Sequence, residues 1–155
     1  MEYFKRLRQF MGHEPILTAG AVMIVLNEKN EVLMQLRSDF KRWGVIGGGM
    51  DLGESMEETA RRELEEETGL IADSLELMDL MSGPETFRTY PNGDQLYDVT
   101  AIYYIKKYHG DLKINDDESL ELKWFNIDDV PVDTMPEYLQ NYWRRMKKII
   151  LEKII

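Results

Sequence analysis

Cysteine is absent from this chain of 155 residues. Disulfide scaffolds, thiolate zinc sites and cysteine nucleophiles are excluded together. Histidine is nearly absent as well, with only His13 and His109, which leaves little room for imidazole-based metal chemistry. His109-Gly110 reads as a turn and His13 as a helix exit. Apolar runs such as Ala21 to Leu26 are far too short to span a bilayer, and Met1 opens a charged segment with no signal-peptide pattern. No membrane partner is expected, and the cytoplasm is the expected compartment. Positive charge is scarce, with 19 basic residues against 29 acidic ones and a net charge of −10. Such a surface repels a phosphate backbone, so nucleic acid is not an expected partner. What is plentiful is ordinary globular material, 43% hydrophobic and 31% charged residues, enough to bury a core. No repeat, low-complexity tract or Pro/Ser-rich linker divides it, so one domain over residues 1–155 is expected.

Met1 to Met11 spaces Tyr3, Phe4, Leu7, Phe10 and Met11 as a short amphipathic helix ended by Gly12. Ile16 to Leu26 and Val32 to Leu36 read as strands joined by the polar turn Asn27 to Asn30. A glycine-dense stretch, Gly44 to Gly53, leads into the helix-prone segment Glu54 to Thr68, which Gly69 stops. Strands are expected over Leu75 to Met81, Thr86 to Tyr90, Leu96 to Ile105 and Leu120 to Asn126, with Pro91-Asn92-Gly93-Asp94 as a hairpin turn. A C-terminal helix is expected over about 136–153, where Leu139, Trp143, Met146 and Ile150 recur at helical spacing. Strands mixed with a few helices, without regular βαβ alternation, predict an α+β fold or a mixed-sheet sandwich.

The central helix carries glutamates that do not belong on a solvated face. On a wheel with Met56 at zero, Ala60 falls at about 40° and Leu64 at about 80°, which defines the buried stripe. Glu67 falls at about 20°, Glu63 at about 340° and Glu66 at about 280°, while Glu57, Glu58, Arg61 and Glu65 point elsewhere. Carboxylates in or beside an apolar arc repel one another and lose hydration unless a cation compensates them. Hard oxygen ligands at this spacing suit Mg²⁺ or Mn²⁺. A solvated acidic helix held by i,i+4 pairs is the competing reading. Gly47-Gly48-Gly49, just before the helix, permits positive φ or close approach of main chain to ligand.

These residues resemble a known family. Gly48, five residues, Glu54, seven residues, then Arg62-Glu63-Leu64-Glu65-Glu66-Glu67-Thr68-Gly69-Leu70 fits the box of the Nudix (MutT-like) hydrolases at all nine constrained positions over 23 residues. Flanking segments are similar too: Ala19-Gly20-Ala21-Val22 and Val32 to Arg37 to the early core strands, and Leu122-Lys123-Trp124-Phe125 with Asp128-Asp129-Val130-Pro131 to the late strand and loop. Ile46 stands where many relatives carry proline, and Asp51 where they often carry glutamate.

The resemblance implies a Nudix fold, a mixed β-sheet sandwiched between α-helices, and divalent-dependent cleavage of the pyrophosphate bond in a nucleoside diphosphate linked to another group. Mg²⁺ is the implied cofactor, with Mn²⁺ as an alternative, and a small nucleoside diphosphate derivative is the implied partner. It implies Glu63, Glu66 and Glu67 as metal ligands, with the Gly48 carbonyl completing the site. Glu54 becomes an accessory ligand or a brace for Arg62, and Arg62 the residue that orients the box glutamates. Glu118 and Glu121, ahead of Trp124, are the general-base candidates, Glu118 first. Arg37 is similar to a phosphate-contacting residue, and Arg88, with Tyr90 and Tyr97, is a candidate for substrate contact. The basic run Arg144, Arg145, Lys147 and Lys148 reads as a solvated helix face. A non-catalytic nucleotide sensor on the same fold is the alternative function; a calcium-binding structural protein is disfavoured, because EF-hand ligands alternate along a loop. Association into a homodimer is left open, as is the choice among nucleoside triphosphate, nucleotide-sugar and ADP-ribose substrates.

Overall fold

The computed structural model describes residues 2–155. Met1, with which the N-terminal helix opens in the sequence reading, lies outside the described residues. The helices are α1 (Glu2–Met11), α2 (Met56–Thr68) and α3 (Glu137–Ile149), the last running on into a π-type turn over Ile150–Ile154. The strands are β1 (Ile16–Val25), β2 (Val32–Arg37), β3 (Trp43–Gly44), β4 (Ile46–Gly49), β5 (Ile71–Met81), β6 (Arg88–Thr89), β7 (Gln95–His109) and β8 (Ser119–Phe125). They form two sheets, one ordered β4-β1-β7-β5 with β6 also on β7, the other ordered β3-β2-β8. Strands β1 and β7 run parallel while β4, β5 and β6 pair antiparallel, so the larger sheet is mixed.

The apolar run of β1 is explained by burial on both faces. Val22 and Ile24 enter one core cluster, which α3 covers with Tyr138, Leu139, Tyr142, Trp143, Met146 and Ile149. Ala21, Met23 and Val25 enter a second cluster, covered by Ala60 and Leu64 of α2. Strand β2 divides likewise, Val32 and Met34 to the first cluster and Leu33 to the second. A strand buried on both faces loses the alternation of a half-buried one and becomes continuously hydrophobic. The sheets thus lie between α2 and α3, in the expected α+β sandwich, with the strands divided between two sheets.

One unassigned stretch gains a structure and one expected strand is shortened. The glycine-dense stretch is partly strand: β4 pairs with β1, Gly48 opposite Ala21 and Gly47 opposite Val22. Glycine has low strand propensity, and pairing with a central strand overrides it. Thr86 to Tyr90, expected as one strand, is a single helical turn at Pro84–Thr86 followed by the two residues of β6.

Helix α2 is started by a capping box. The Ser55 hydroxyl accepts from the Glu58 backbone N–H at 3.1 Å, and the Glu58 carboxylate accepts from the Ser55 N–H at 2.7 Å. Gly69 closes the helix in the left-handed region at φ 78°, where a side chain would be strained. Both ends are therefore set by local hydrogen bonds, which fixes how far α2 slides along the sheet and where its glutamates sit. Ser55→Ala should cost about 1 kcal/mol of stability in urea denaturation, with turnover per folded molecule retained because Ser55 touches none of the buried glutamates.

Candidate active site

Helix α2 buries Thr59, Ala60, Glu63, Leu64, Glu67 and Thr68. Two glutamates therefore lie in the apolar stripe, only 5% and 1% exposed for Glu63 and Glu67. Glu118, from the turn before β8, joins them, and ligand oxygens of Glu63, Glu67 and Glu118 lie within 4.8 Å of one another. Glu66 does not join this group; its half-exposed carboxylate accepts from Arg62 at 3.2 Å. Glu121 sits on β8 opposite Leu36 and is exposed.

Arg62 is the hub of the glutamates. Its Nε donates to Glu54 at 2.8 Å, one terminal nitrogen to Glu63 at 2.8 Å, and the other to the Gly49 carbonyl at 2.9 Å. Asp51 lies 3.6 Å from the same guanidinium. Glu54 is itself fixed by the Thr59 hydroxyl at 2.7 Å, so it braces Arg62 in this arrangement. Glu67 is held differently, accepting from the Gly47 backbone N–H at 3.0 Å and from the Gln35 amide at 3.3 Å. Gln35 is oriented in turn by the Val45 carbonyl at 3.1 Å and the Ser119 hydroxyl at 2.6 Å. Gly48 has no room for a side chain, because a Cβ there would overlap the Glu63 carboxylate. The glycine of the box is thus a cradle for a glutamate.

The charges of the three carboxylates are poorly compensated. Burial, only partly offset by Arg62, pushes the Glu63 carboxyl up to about 7, with Glu66 and Glu118 adding repulsion. Burial and the neighbouring Glu63 hold Glu67 well above the usual carboxylate range, against the pull of the Gly47 N–H. Burial and Asp116 raise Glu118. Glu63 and Glu67, oxygen donors that resist ionising side by side, fit a hard divalent cation, which would supply the missing positive charge beside Glu118.

Two of the carboxylates, Glu63 and Glu118, line a cavity of about 480 Å³, inside the roughly 300–1,000 Å³ range of small-molecule sites. Gly48, Glu63 and Glu118 contribute to its wall, as do Arg37 and Arg88. Arg37 is paired with Asp39 at 2.7 Å and 3.0 Å and lies over the Phe40 ring. Arg88 donates to the Tyr142 hydroxyl at 2.7 Å and packs 4.2 Å from the Tyr138 ring centroid. Gln35, Tyr138 and Tyr142 were not singled out by sequence reasoning. A lone glutamine within the apolar strand β2 is the only sequence signal any of them carries. His13 and His109 pair at the surface with Asp94 and Asp73, each at 2.7 Å. Of the basic run in α3, Arg145 meets Asp79 at 2.7 Å and Lys147 meets Asp128 at 3.2 Å.

The family model described as NUDIX domain matches residues 16–147. The chain belongs to the Nudix family. Among named relatives, the oxidized purine nucleoside triphosphate hydrolase of Mus musculus is 30% identical over 125 residues, covering 79% of this chain and 74% of that protein. The ADP-ribose pyrophosphatase of Methanocaldococcus jannaschii is 30% identical over 116 residues, covering 73% of this chain and 64% of its own length. The crystal structure of the MutT NUDIX hydrolase from Burkholderia pseudomallei superposes with a TM-score of 0.66 at 23% identity, over 90% of this chain and 99% of that one. That last likeness concerns the fold. Family membership makes this Nudix protein an enzyme of a hydrolase class with named pyrophosphatases among its members. No helix among the described residues is long and apolar enough to cross a membrane.

The buried carboxylates set a pH dependence. Glu63 is raised from 4.5 to about 7 in the folded chain, so the native state binds a proton more tightly than the unfolded one. Its contribution to stability is full below pH 4.5 and is lost as pH rises through about 7. In chelator, the melting temperature should fall across that interval, and Glu67→Gln should flatten the fall by removing the neighbouring charge while keeping an acceptor for Gly47 and Gln35. A melting temperature that climbs over the same interval in both proteins would contradict this charge balance.

Proposed function

We propose that this Nudix chain is a single domain that hydrolyses the pyrophosphate bond of a nucleoside diphosphate derivative with the help of Mg²⁺ or Mn²⁺. The observation carrying the proposal is the gathering of Glu63, Glu67 and Glu118, with Gly48, Glu63 and Glu118 on the wall of a ligand-sized cavity. Glu63 and Glu67 would hold the cation, with the Gly48 carbonyl beside them. Glu66 belongs to the proposed set through the box, and release from Arg62 would free its carboxylate. A bound divalent cation polarises phosphoryl oxygens and acidifies water.

The chain's own residues supply the rest. Arg62, braced by Glu54, keeps Glu63 aimed at the cavity. Gln35 and the Gly47 N–H fix Glu67. Glu118, on the cavity wall and not tied to any arginine, accepts the proton from the attacking water. Glu121 ranks second for this role, since it is exposed on β8 outside the carboxylate group. Arg37 and Arg88 offer positive charge to the substrate along the cavity. Both named relatives act, by their names, on nucleotides that contain a phosphoanhydride, and that shared bond is the substrate class proposed here.

A panel of nucleoside triphosphates, nucleotide sugars and ADP-ribose, assayed with Mg²⁺ and Mn²⁺, should reveal at least one substrate, with activity abolished by EDTA. Activity surviving complete chelation would overturn the metal chemistry, and inactivity across the panel would favour a nucleotide sensor. Glu67→Gln should lower kcat by about 10²-fold or more, on the order of 3 kcal/mol of transition-state stabilisation. Glu118→Gln should lower kcat by roughly 10² to 10⁴ with little change in the Mg²⁺ requirement, and higher pH should partly rescue it as hydroxide replaces the lost proton transfer. A normal rate in Glu118→Gln beside a collapsed one in Glu121→Gln would move the base to Glu121.

A further inference from the structure

Strand β2 is apolar from Val32 to Leu36 except at Gln35, which is only 2% exposed. A buried amide is tolerated when its donors and its acceptor are all used. The Val45 carbonyl can only accept, so it fixes which end of this amide is the nitrogen. One N–H goes to Val45 at 3.1 Å and the other to Glu67 Oε2 at 3.3 Å. The opposite end is then the oxygen, and the Ser119 hydroxyl donates to it at 2.6 Å. Donation therefore runs one way, from Ser119 through Gln35 to Glu67. Glu67 Oε2 takes this bond and the Gly47 N–H together, while Oε1 accepts no hydrogen bond among the described residues.

Ser119 reaches Gln35 because of an irregularity in β8. Strands β2 and β8 pair in regular antiparallel register from Val32 opposite Phe125 to Leu36 opposite Glu121. Arg37 then faces Ser119, and Leu120 is left without a partner. Directly opposite residues share a face of the sheet and successive residues alternate. Without the skipped residue Ser119 would stand opposite Ser38, on the other face from Gln35. The bulge turns Ser119 to the Gln35 face and leaves Leu120 exposed. Glu118 immediately precedes this pivot. Its backbone is held from the other side, where the Ser38 N–H donates to the Glu118 carbonyl and the Ser38 hydroxyl to the Asp117 carbonyl, each at 2.9 Å. Strand β2 thus anchors both the Glu67 carboxylate of α2 and the segment that carries Glu118.

We propose that Gln35 and Ser119 are positioning residues of the hydrolytic site: Gln35 commits Glu67 Oε2 and leaves Oε1 for the cation, and Ser119, turned by the bulge, fixes Glu118 relative to that carboxylate. Neither side chain touches the reacting atoms; both act through the glutamates, as groups that orient metal ligands do. This rests on the hydrolase reading above, with Glu67 as a ligand and Glu118 as the base. The two residues have different duties. Losing Gln35 frees both glutamates, whereas losing Ser119 frees only Glu118, because Val45 still holds the amide.

The test compares the parent with Gln35→Met, Ser119→Ala, Ser119→Thr and the double variant Gln35→Met/Ser119→Ala. Mn²⁺ affinity without substrate is read by isothermal titration, the folded fraction by thermal melting in EDTA, and kcat and KM with a nucleotide that the parent hydrolyses. Gln35→Met, which keeps the length of the side chain, should weaken Mn²⁺ binding by about tenfold or more and lower kcat at saturating Mn²⁺ to a similar degree. Ser119→Ala should keep Mn²⁺ affinity within about threefold while kcat falls about tenfold at unchanged KM. Ser119→Thr restores the hydroxyl and should recover most of that loss. The double variant should be no slower than Gln35→Met alone, because the two residues act through one amide. A merely structural role predicts losses that follow the folded fraction, with parent Mn²⁺ affinity in the molecules that remain folded. That pattern would overturn the proposal. So would parent-like Mn²⁺ affinity in Gln35→Met, parent-like kcat in Ser119→Ala, a Ser119→Thr protein as slow as Ser119→Ala, or additive losses in the double variant. Gln35-dependent Mn²⁺ binding in a chain that hydrolyses no nucleotide would sink the hydrolase reading and keep the role of Gln35; hydrolysis at the parent rate in every variant would do the reverse.

Discussion

Burial of two carboxylates on α2, against a strand made of glycine, is the constraint on which the site depends. Glu63 and Glu67 lie one turn apart in the stripe that Ala60 and Leu64 press into the core. Placing charge there is costly unless every oxygen finds a partner. Arg62 answers for Glu63; the Gly47 N–H and Gln35 answer for Glu67. The compensation is incomplete, as the raised Glu63 and Glu67 carboxyls attest. That residual deficit is what the proposed cation would relieve on binding.

The strands serve this arrangement. Burial of β1 on both faces makes it the rigid centre of the molecule, and β4 is registered to it residue by residue through Gly47 and Gly48. A register slip of one residue would carry Gly48 away from Glu63 and put a side chain or a different glycine in its place. The second sheet brings the remaining pieces from far along the chain: Gln35 on β2, and Ser119, with Glu118 just before it, on β8. Carboxylates from α2 and the turn before β8 thus meet beside the hydrogen bond between Gln35 and Ser119.

The cavity is polar at both ends for different reasons. At the carboxylate end charge accumulates faster than it is neutralised. At the other end Arg88 and Asp98 nearly balance, and threonine and tyrosine hydroxyls bridge them.

Much of this was legible in the chain itself. The 3.6-residue period put Glu63 and Glu67 on the buried face of α2, and spacing from Gly48 to Leu70 carried the family resemblance. These are local patterns, set by helix geometry and capping that need no knowledge of distant residues. The wheel also put Glu66 beside the buried arc, whereas packing leaves it half-exposed on Arg62. Nothing local in Gly44 to Gly53 announced a strand, because glycine is depleted in strands; only pairing with β1 makes Ile46–Gly49 one. Glu118 was named as a base from its place ahead of Trp124, and nothing local said it would lie within reach of Glu63 and Glu67. The fastening of α1 by Arg8 to Gln95 and Asp94, and the packing of Arg88 on Tyr138, join residues tens of positions apart. Sequence by itself determined the helix, its buried glutamates and the glycine that admits them, because those follow from periodicity and backbone sterics. Tertiary structure decided which carboxylates meet and what walls the cavity, because those depend on strand pairing and long-range packing that no local spacing encodes.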